Sequence, residues 1–146
     1  MRSYVLDASV AAKWFLPPAQ ETLSGESLDL LHQYAGGNIR LIVPDLFWPE
    51  SGNILWKAAR NGRISRKSAE ESMLALTGLK IATSPTLGLL EDAWAIAMAF
   101  DRTVYDCIYV ALAVASRRPL VTADERLANA LASRFPVRWL GSATLD

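Results

Sequence analysis

Four acidic side chains stand where short apolar runs end or where helices begin. Asp7 ends the run "YVLD", Glu50 follows "IRLIVP", Asp106 interrupts the apolar segment "TVYDCIYVALA", and Asp124 follows "LVTA". Carboxylates without a nearby His or Cys set favour hard cations such as Mg²⁺ or Mn²⁺. If the four side chains converge in one cleft, their mutual repulsion requires cations between them. Convergence would therefore indicate a metal site.

Each acid also has a simpler interpretation as a helix cap. Side chains of Asp and Thr at helix starts accept hydrogen bonds from free backbone N–H groups, and acids there complement the helix dipole. Thr103 with Asp106, and Thr122 with Glu125, have the spacing of a capping box or a close variant. Taken singly, each acid is explained as a cap, and only their convergence favours metal binding.

The elements that must position these acids alternate between strand and helix. We predict strands at 3–7, 39–44, 80–83, 119–123 and 137–141, and helices at 9–16, 23–34, 45–62, 65–79, 87–100, 103–116 and 124–135. This alternation implies an α/β fold, a three-layer α/β/α sandwich with a mainly parallel sheet of four or five strands. The strand carboxyl ends and the following helix starts then share one edge, where ligands bind. All four acids are predicted to lie at that edge.

Composition limits the class of protein. With 146 residues, 51% of them apolar, the chain is predicted to form one domain, 1–146. Fifteen basic and fifteen acidic residues cancel, which excludes the overall positive field of a protein that coats nucleic acid. One cysteine excludes an internal disulfide and a cysteine zinc cluster. No signal-type or membrane-spanning segment is evident, so we expect a reducing cytoplasm and no membrane.

Four stretches together resemble a known family. The segments "YVLDAS", "PESGNIL", "YDCIYVALA" and "LVTADERL" are similar to the four acidic motifs of PIN-domain ribonucleases, in the same order and over nearly the whole chain. The resemblance is closest to the VapC toxins of VapBC toxin–antitoxin systems. It implies that Asp7, Glu50, Asp106 and Asp124 form the acidic metal site, with Ser9 and Thr122 as polar supports.

The resemblance also implies a reaction and partners. The expected activity is that of a Mg²⁺-dependent (or Mn²⁺-dependent) endoribonuclease, the toxin of a type II toxin–antitoxin pair, in which a metal-activated water attacks an RNA phosphodiester. Asp7 and Asp106 are expected as direct ligands, Asp124 as a direct or water-bridged ligand, and Glu50 as a water-bridged ligand that orients the attacking water. Products with a 5′-phosphate and a 3′-hydroxyl are implied, as are a homodimer and a VapB-like antitoxin along the acidic groove.

Several neighbouring residues are open to two interpretations. Ser9 and Thr122 fit equally well as supports that orient the carboxylates and as helix caps. Asn53, one helical turn after Glu50, is a candidate for contact with the site or the substrate. Asp45 is predicted to cap the helix that carries Glu50 rather than to bind metal.

Other residues are predicted to have a structural role or to be candidates for contact with RNA. The basic run Arg60–Lys67 is the densest candidate for contacts with the RNA backbone. Trp14 and Trp48 flank acidic motifs, but core or interface packing is favoured over base stacking. His32 is predicted to be structural or surface-exposed, and Cys107 to pack as a small apolar residue.

Two other function classes remain open. One is a noncatalytic PIN-fold protein that binds a partner or nucleic acid, although the presence of all four expected acids counts against it. The other is a phosphotransferase that uses the strand-terminal Asp7 as nucleophile. Many such enzymes have a second acid two residues later, where this chain has Ser9.

Overall fold

A five-stranded parallel sheet lies at the centre of the computed structural model, which describes residues 1–142. The strands are β1 (Arg2–Leu6), β2 (Ile39–Pro44), β3 (Ala82–Ser84), β4 (Leu120–Thr122) and β5 (Val137–Trp139). Their order in the sheet is β3-β2-β1-β4-β5, and every neighbouring pair is parallel. The predicted α/β class with four or five strands is confirmed, with five strands in the sheet.

Helices connect the strands in the described part of the chain. They are α1 (Ala8–Ala12), α2 (Ser24–Ala35), α3 (Phe47–Arg60), α4 (Arg66–Gly78), α5 (Leu90–Phe100), α6 (Val104–Ser116) and α7 (Glu125–Leu131). Short 3₁₀ turns at Pro18–Gln20 and Leu87–Leu89 precede α2 and α5. The α6 helix packs against β1, β2 and α5, and its residues 107–113 are all buried. Burial on nearly every side explains why its sequence is apolar almost throughout.

The order of the strands creates one crevice at the carboxyl edge of the sheet. After β1 the chain adds β2 and β3 on one side, and it later returns to place β4 and β5 on the other side of β1. Val5 pairs with Leu120 and Leu6 with Val121 across the β1–β4 junction. Ligands of parallel α/β sheets bind outside the strand ends where the winding reverses. Asp7 and Asp124, which follow β1 and β4, stand on the two sides of that position.

Two helices end four residues before their predicted ends. The predicted helix 9–16 ends as α1 at Ala12, where the amides of Lys13, Trp14 and Phe15 bond three residues back in a tighter turn. Pro17 and Pro18 follow and prevent the helix from continuing. The predicted helix 124–135 likewise ends at Leu131 and turns before Pro136.

The predicted Asp45 cap of α3 is wrong. The next helix, α4, is capped by Ser65, whose side chain accepts a hydrogen bond from the Ser68 amide. Asp45 does not cap α3 with its side chain. Its carboxylate instead accepts hydrogen bonds from the amide and hydroxyl of Thr86, and so joins the β2–α3 loop to the loop after β3.

No helix within residues 1–142 is long and apolar enough to cross a membrane. The predicted domain 1–146 includes residues 143–146, which lie outside the described residues, and its extent stays a prediction. The described residues share one sheet and a large common apolar core.

Candidate metal centre

Asp7 lies at the end of β1 with its carboxylate buried. It occupies the N-cap position of α1 but makes no capping hydrogen bond. Its Oδ2 atom instead accepts hydrogen bonds from Ser9 Oγ at 3.0 Å and from Thr122 Oγ1 at 2.7 Å. Burial raises the pKa of the Asp7 carboxyl, and these hydrogen bonds oppose that rise. The carboxylate is therefore held in one orientation by two hydroxyl groups.

The same two hydroxyls connect Asp7 to the loop that carries Asp124. Thr122 Oγ1 accepts a hydrogen bond from the Asp124 amide at 3.0 Å, and Ser9 Oγ accepts one from the Ala123 amide at 3.1 Å. Each hydroxyl thus donates to a carboxylate and accepts from a neighbouring chain segment. Of the two interpretations of Ser9 and Thr122, the contacts agree with orientation of Asp7.

Asp124 itself is the N-cap of α7. Its Oδ1 atom accepts a hydrogen bond from the Leu127 amide at 3.2 Å, while the side chain remains exposed. The proposed capping box of Thr122 with Glu125 is therefore wrong, because Thr122 is fully buried in β4 and contacts Asp7. The error arose because a Thr at the end of a strand has the same spacing to an acid as a Thr at a helix start.

Asp106 lies in the first turn of α6 and is half-buried. Thr103 is the N-cap, and its Oγ1 atom accepts a hydrogen bond from the Asp106 amide at 3.1 Å, as the capping prediction required. Burial raises the pKa of the Asp106 carboxyl, and the charge of Asp124 raises it further. The Thr103 side chain and the guanidinium of Arg102 act in the opposite direction.

Glu50 lies in the first turn of α3 and points towards the other acids. Burial raises the pKa of its carboxyl from the ordinary 4.5 to about 7, and the charges of Asp7 and Asp106 add to the rise. The hydroxyl of Tyr109 lies near this carboxylate and lowers its pKa, but it is buried and forms no hydrogen bond of normal geometry within residues 1–142. Burial and the charges of Asp7 and Glu50 raise the pKa of that hydroxyl.

Sequence reasoning missed Tyr109 and Arg102 as parts of this neighbourhood. Tyr109 follows Asp106 by three residues on α6, a spacing that brings two side chains to one helix face. That signal was available in the sequence. Arg102 precedes the helix, in a loop whose path the sequence does not specify, so nothing in the pattern indicated its position.

The four acids are neighbours but do not form a closed ligand set. Electrostatic effects connect Asp7 with Glu50, both of these with Asp106, and Asp106 with Asp124. Within residues 1–142, however, no three Asp, Glu, His or Cys side chains lie close enough to hold one ion together. Repulsion between carboxylates and the hydrogen bonds of Asp7 and Asp124 oppose closer approach. The ligand roles of these residues stay predictions.

The other predicted RNA-contact candidates are mostly engaged elsewhere. Asn53 is exposed on α3. In the basic run, Arg63 pairs with Glu21 at 2.7 Å, and Arg66 and Lys67 pair with acids one turn along α4. The Arg60 guanidinium lies over the ring of Trp56. A role of this run in RNA binding stays a prediction.

The structural predictions for the remaining residues agree with the packing. Trp14 and Trp48 are partly buried against the core, and their indole nitrogens donate to the Ser27 carbonyl and to Thr83 Oγ1. Cys107 is fully buried, and His32 is exposed on α2.

Comparison with known proteins gives concordant matches. Residues 4–131 match the PIN domain family. A relative, Ribonuclease VapC3 of Pyrobaculum aerophilum, is 32% identical over 136 residues, which cover 90% of this chain and 94% of the relative. A crystal structure of a Pyrobaculum aerophilum protein superimposes with a TM-score of 0.68 at 23% identity and covers 88% of this chain and 79% of that one. A toxin–antitoxin complex from Klebsiella pneumoniae superimposes with a TM-score of 0.63 at 14% identity and covers 92% and 95%.

The two solved structures show that the fold is shared. The family match covers most of the chain, and the similarity to the VapC relative extends over nearly the full length of both proteins. The residues matched by the family, 4–131, include Asp7, Glu50, Asp106 and Asp124. The chain belongs to the PIN-domain family and, within it, to the VapC ribonucleases.

Proposed function

We propose that this protein is a Mg²⁺-dependent endoribonuclease that acts in the cytoplasm as the toxin of a type II toxin–antitoxin pair. The observation that carries the proposal is the meeting of Asp7, Glu50 and Asp106 at the reversal point of the sheet. They come from three separate elements, yet the charge of Asp106 raises the pKa of Asp7, and the charges of Asp7 and Asp106 raise the pKa of Glu50. A protein gains no stability from such repulsion, which is consistent with selection for binding a cation.

The donor groups fit a hard divalent ion, and divalent metal use is a property of the family. All the side chains are oxygen donors, and the buried Tyr109 hydroxyl beside Glu50 lacks a normal hydrogen-bond partner among the described residues. Asp7 and Asp106 would hold the ion directly, with Asp124 bound directly or through water. Because no three of these side chains within residues 1–142 are close enough to hold one ion, the carboxylates must turn towards one another to share it.

The residues of the chain have separable tasks in hydrolysis. A bound divalent ion supplies a water of lowered pKa and stabilises negative charge on the phosphate. Ser9 and Thr122 keep the Asp7 carboxylate fixed while it binds. Glu50, with a pKa of about 7 in the absence of metal, is able to accept a proton from the attacking water and to orient it. The expected products carry a 5′-phosphate and a 3′-hydroxyl.

The experiment compares cells that briefly express the wild-type chain or Asp7→Asn and maps new RNA 5′ ends. New ends in the wild type alone support the proposal, and identical maps would show a noncatalytic protein. A purified circular RNA provides a second substrate, since only an endonuclease can open it. Arrest of growth by the wild type and not by Asp7→Asn tests the toxin role.

We propose a VapB-like antitoxin as partner. A groove of about 230 Å³ lies between α3 and α4 and is lined by Trp56, Met73 and small apolar residues, with Arg66 and Glu70 at its side. The groove includes Gly52, which follows Glu50 by two residues and therefore faces another side of α3. An antitoxin segment that extends beyond this groove to the acids would block access to the site.

We also propose that the protein forms a homodimer. Leu90, Trp94 and Met98 follow one another at four-residue spacing on α5 and are exposed, and Leu87 next to them is 83% exposed. An apolar stripe of this size on a helix is typical of an interface. A two-fold dimer that pairs the α5 stripes would bury it on both copies.

A further inference from the structure

Arg102 lies beside the acidic site with its backbone fixed on both sides. The preceding residue, Asp101, ends α5 in the left-handed conformation with a φ of 54°. The following residue, Thr103, caps α6 through its hydrogen bond with the Asp106 amide. Arg102 therefore stands immediately before the helical turn that carries Asp106, in a segment with little freedom to move.

The guanidinium of Arg102 has an unsatisfied donor. Its Nε atom is buried and has no hydrogen-bond partner among residues 1–142. Its charge is near enough to lower the pKa of the Asp106 carboxyl and of the Cys107 thiol, but it forms no ion pair with Asp106. A buried charged donor without a partner is unfavourable unless a ligand supplies the acceptor.

The surrounding charge indicates what kind of ligand this is. Asp7, Glu50 and Asp106 were compared for cationic side chains that lower the pKa of their carboxyls. Within residues 1–142, Arg102 alone does so, and it acts on Asp106. The guanidinium plane presents its donors in a fork that matches two oxygens of a phosphate. Any strand that brings one phosphodiester to Asp106 also brings the neighbouring phosphates into this region.

Resting on the proposed ribonuclease function, we propose that Arg102 is a substrate-binding residue that holds an RNA phosphate next to the one that is cut. The local backbone holds Arg102 next to Asp106, and the side chain must turn its buried Nε donor towards the phosphate when RNA binds. The contact offsets the repulsion between RNA and the acids, and it sets the position of the strand relative to Asp106. It is a contact to the backbone, so it carries no base preference.

A different role for Arg102 is neutralisation of the Asp106 charge. In that case the loss of Arg102 would change metal affinity and leave RNA affinity unaltered. If Arg102 contacts a phosphate, its loss would instead weaken RNA binding and leave metal affinity unaltered. It would also reduce the salt dependence of RNA binding, to which each phosphate contact contributes. For single strands, each phosphate contact contributes about 0.7 to the slope of log affinity against log salt concentration.

The test measures binding of a fluorescent single-stranded RNA to Asp7→Asn protein over a range of salt concentrations. Arg102→Gln is added to that background, and Arg40→Gln, an exposed arginine on β2, is the matched control. We expect Arg102→Gln to weaken binding about tenfold at low salt and to reduce the slope by about 0.7, with Arg40→Gln unchanged. Equal affinity and slope in the two variants would overturn the inference.

Three further measurements separate the outcomes. With active protein and Mg²⁺, Arg102→Gln should raise KM about tenfold and change kcat less than about threefold, while Mn²⁺ affinity stays constant. Altered Mn²⁺ affinity with unaltered RNA affinity would assign Arg102 to charge neutralisation and overturn the inference. Tighter binding of a poly-Glu peptide than of RNA would also overturn it, in favour of a protein partner.

The inference and the proposed function fail in different ways. If the wild type binds RNA through Arg102 but never cleaves it, the ribonuclease proposal fails and the contact stands. If the wild type cleaves RNA and Arg102→Gln has an unchanged KM and salt slope, the contact fails and the ribonuclease stands. Arg102→Lys keeps the charge but loses the paired donors of the guanidinium, so it should give an intermediate affinity for RNA. It serves as the test variant if Arg102→Gln does not fold.

Discussion

At the scale of single residues, the ionised form of the carboxyl groups in the site is unfavourable. Asp7, Glu50 and Asp106 all have raised pKa values, with burial as the first cause and neighbouring acids as a further one. A group whose pKa is raised by folding is harder to ionise in the native protein than in the unfolded chain. A cation between the carboxylates would reverse this effect.

The stability of the metal-free protein should therefore fall as pH rises. Glu50 has a native pKa of about 7 against an ordinary 4.5, so between these values the native state binds more protons than the unfolded state. Its contribution to the free energy of unfolding decreases through that window as pH increases. Thermal unfolding from about pH 4.5 to about pH 8 should show this decrease, and Glu50→Gln should make it shallower. Equal pH dependence of the two proteins would contradict the assignment.

The stabilisation by metal should have the opposite pH dependence. Ionised carboxylates bind the ion, so metal binding must displace protons at low pH. The rise in Tm on adding Mn²⁺ should be larger near pH 8 than near pH 5.5. A rise that is equal at both pH values would mean that the ion binds elsewhere.

Thr122 should affect activity more than stability. Thr122→Val removes the hydroxyl that donates to Asp7 and accepts from the Asp124 amide. Loss of such a supporting group typically reduces metal affinity or activity about 10- to 100-fold, and the unpaired amide costs about 1 kcal/mol of stability. Thr122→Ser keeps the hydroxyl and should retain most of the activity. RNA cleavage rates and urea unfolding test this, and equal activity of the two variants would contradict it.

Much of this site was predictable from residue types and strand ends. The sequence indicated which acids approach one another, because the end of a parallel strand fixes the edge on which a side chain lies. It left open whether Thr122 supports a carboxylate or caps a helix, since the two roles share one spacing, and the hydrogen bond to Asp7 agrees with the first. Arg102 was missed because a loop conformation, not a periodic pattern, brings it to Asp106.

At the scale of elements, the amino end of α6 controls the position of Asp106. Thr103→Ala removes the side-chain cap and should cost about 1 kcal/mol in the free energy of unfolding. Because the first turn then frays, RNA cleavage should fall further than stability alone explains. Thr103→Ser retains the cap and is the control. Unfolding by urea and initial cleavage rates provide the comparison, and unaltered values for Thr103→Ala would contradict the role of the cap.

The elements themselves were predicted well where periodicity and strand length were clear. All five strands and the parallel pairing followed from the alternation of apolar runs with helical segments. The ends of α1 and α7 were misjudged because tight turns before Pro17 and Pro136 contain apolar residues that continue the helical spacing. Asp45 was misassigned because its partner, Thr86, is distant in sequence.

At the scale of the whole molecule, the α5 stripe predicts self-association. Trp94→Glu places a charge in the centre of the stripe and should convert a dimer to a monomer without unfolding it, since Trp94 is 57% exposed. Leu74→Glu, at an exposed leucine on α4, is the control and should leave the mass unchanged. Light scattering after size-exclusion chromatography measures both. A dimeric Trp94→Glu protein, or a monomeric wild type, would contradict the proposed interface.

The acids at the carboxyl edge of the sheet are proposed to bind a divalent cation. Isothermal titration of Mn²⁺ at about pH 8 tests it most directly, because ionised carboxylates then need no proton release. The wild type and Asp92→Asn, a control at an exposed acid on α5, should bind the ion with equal affinity. Asp7→Asn and Asp106→Asn should each weaken binding at least about tenfold. Absence of binding by the folded wild type, or unchanged affinity in both variants, would contradict the claim.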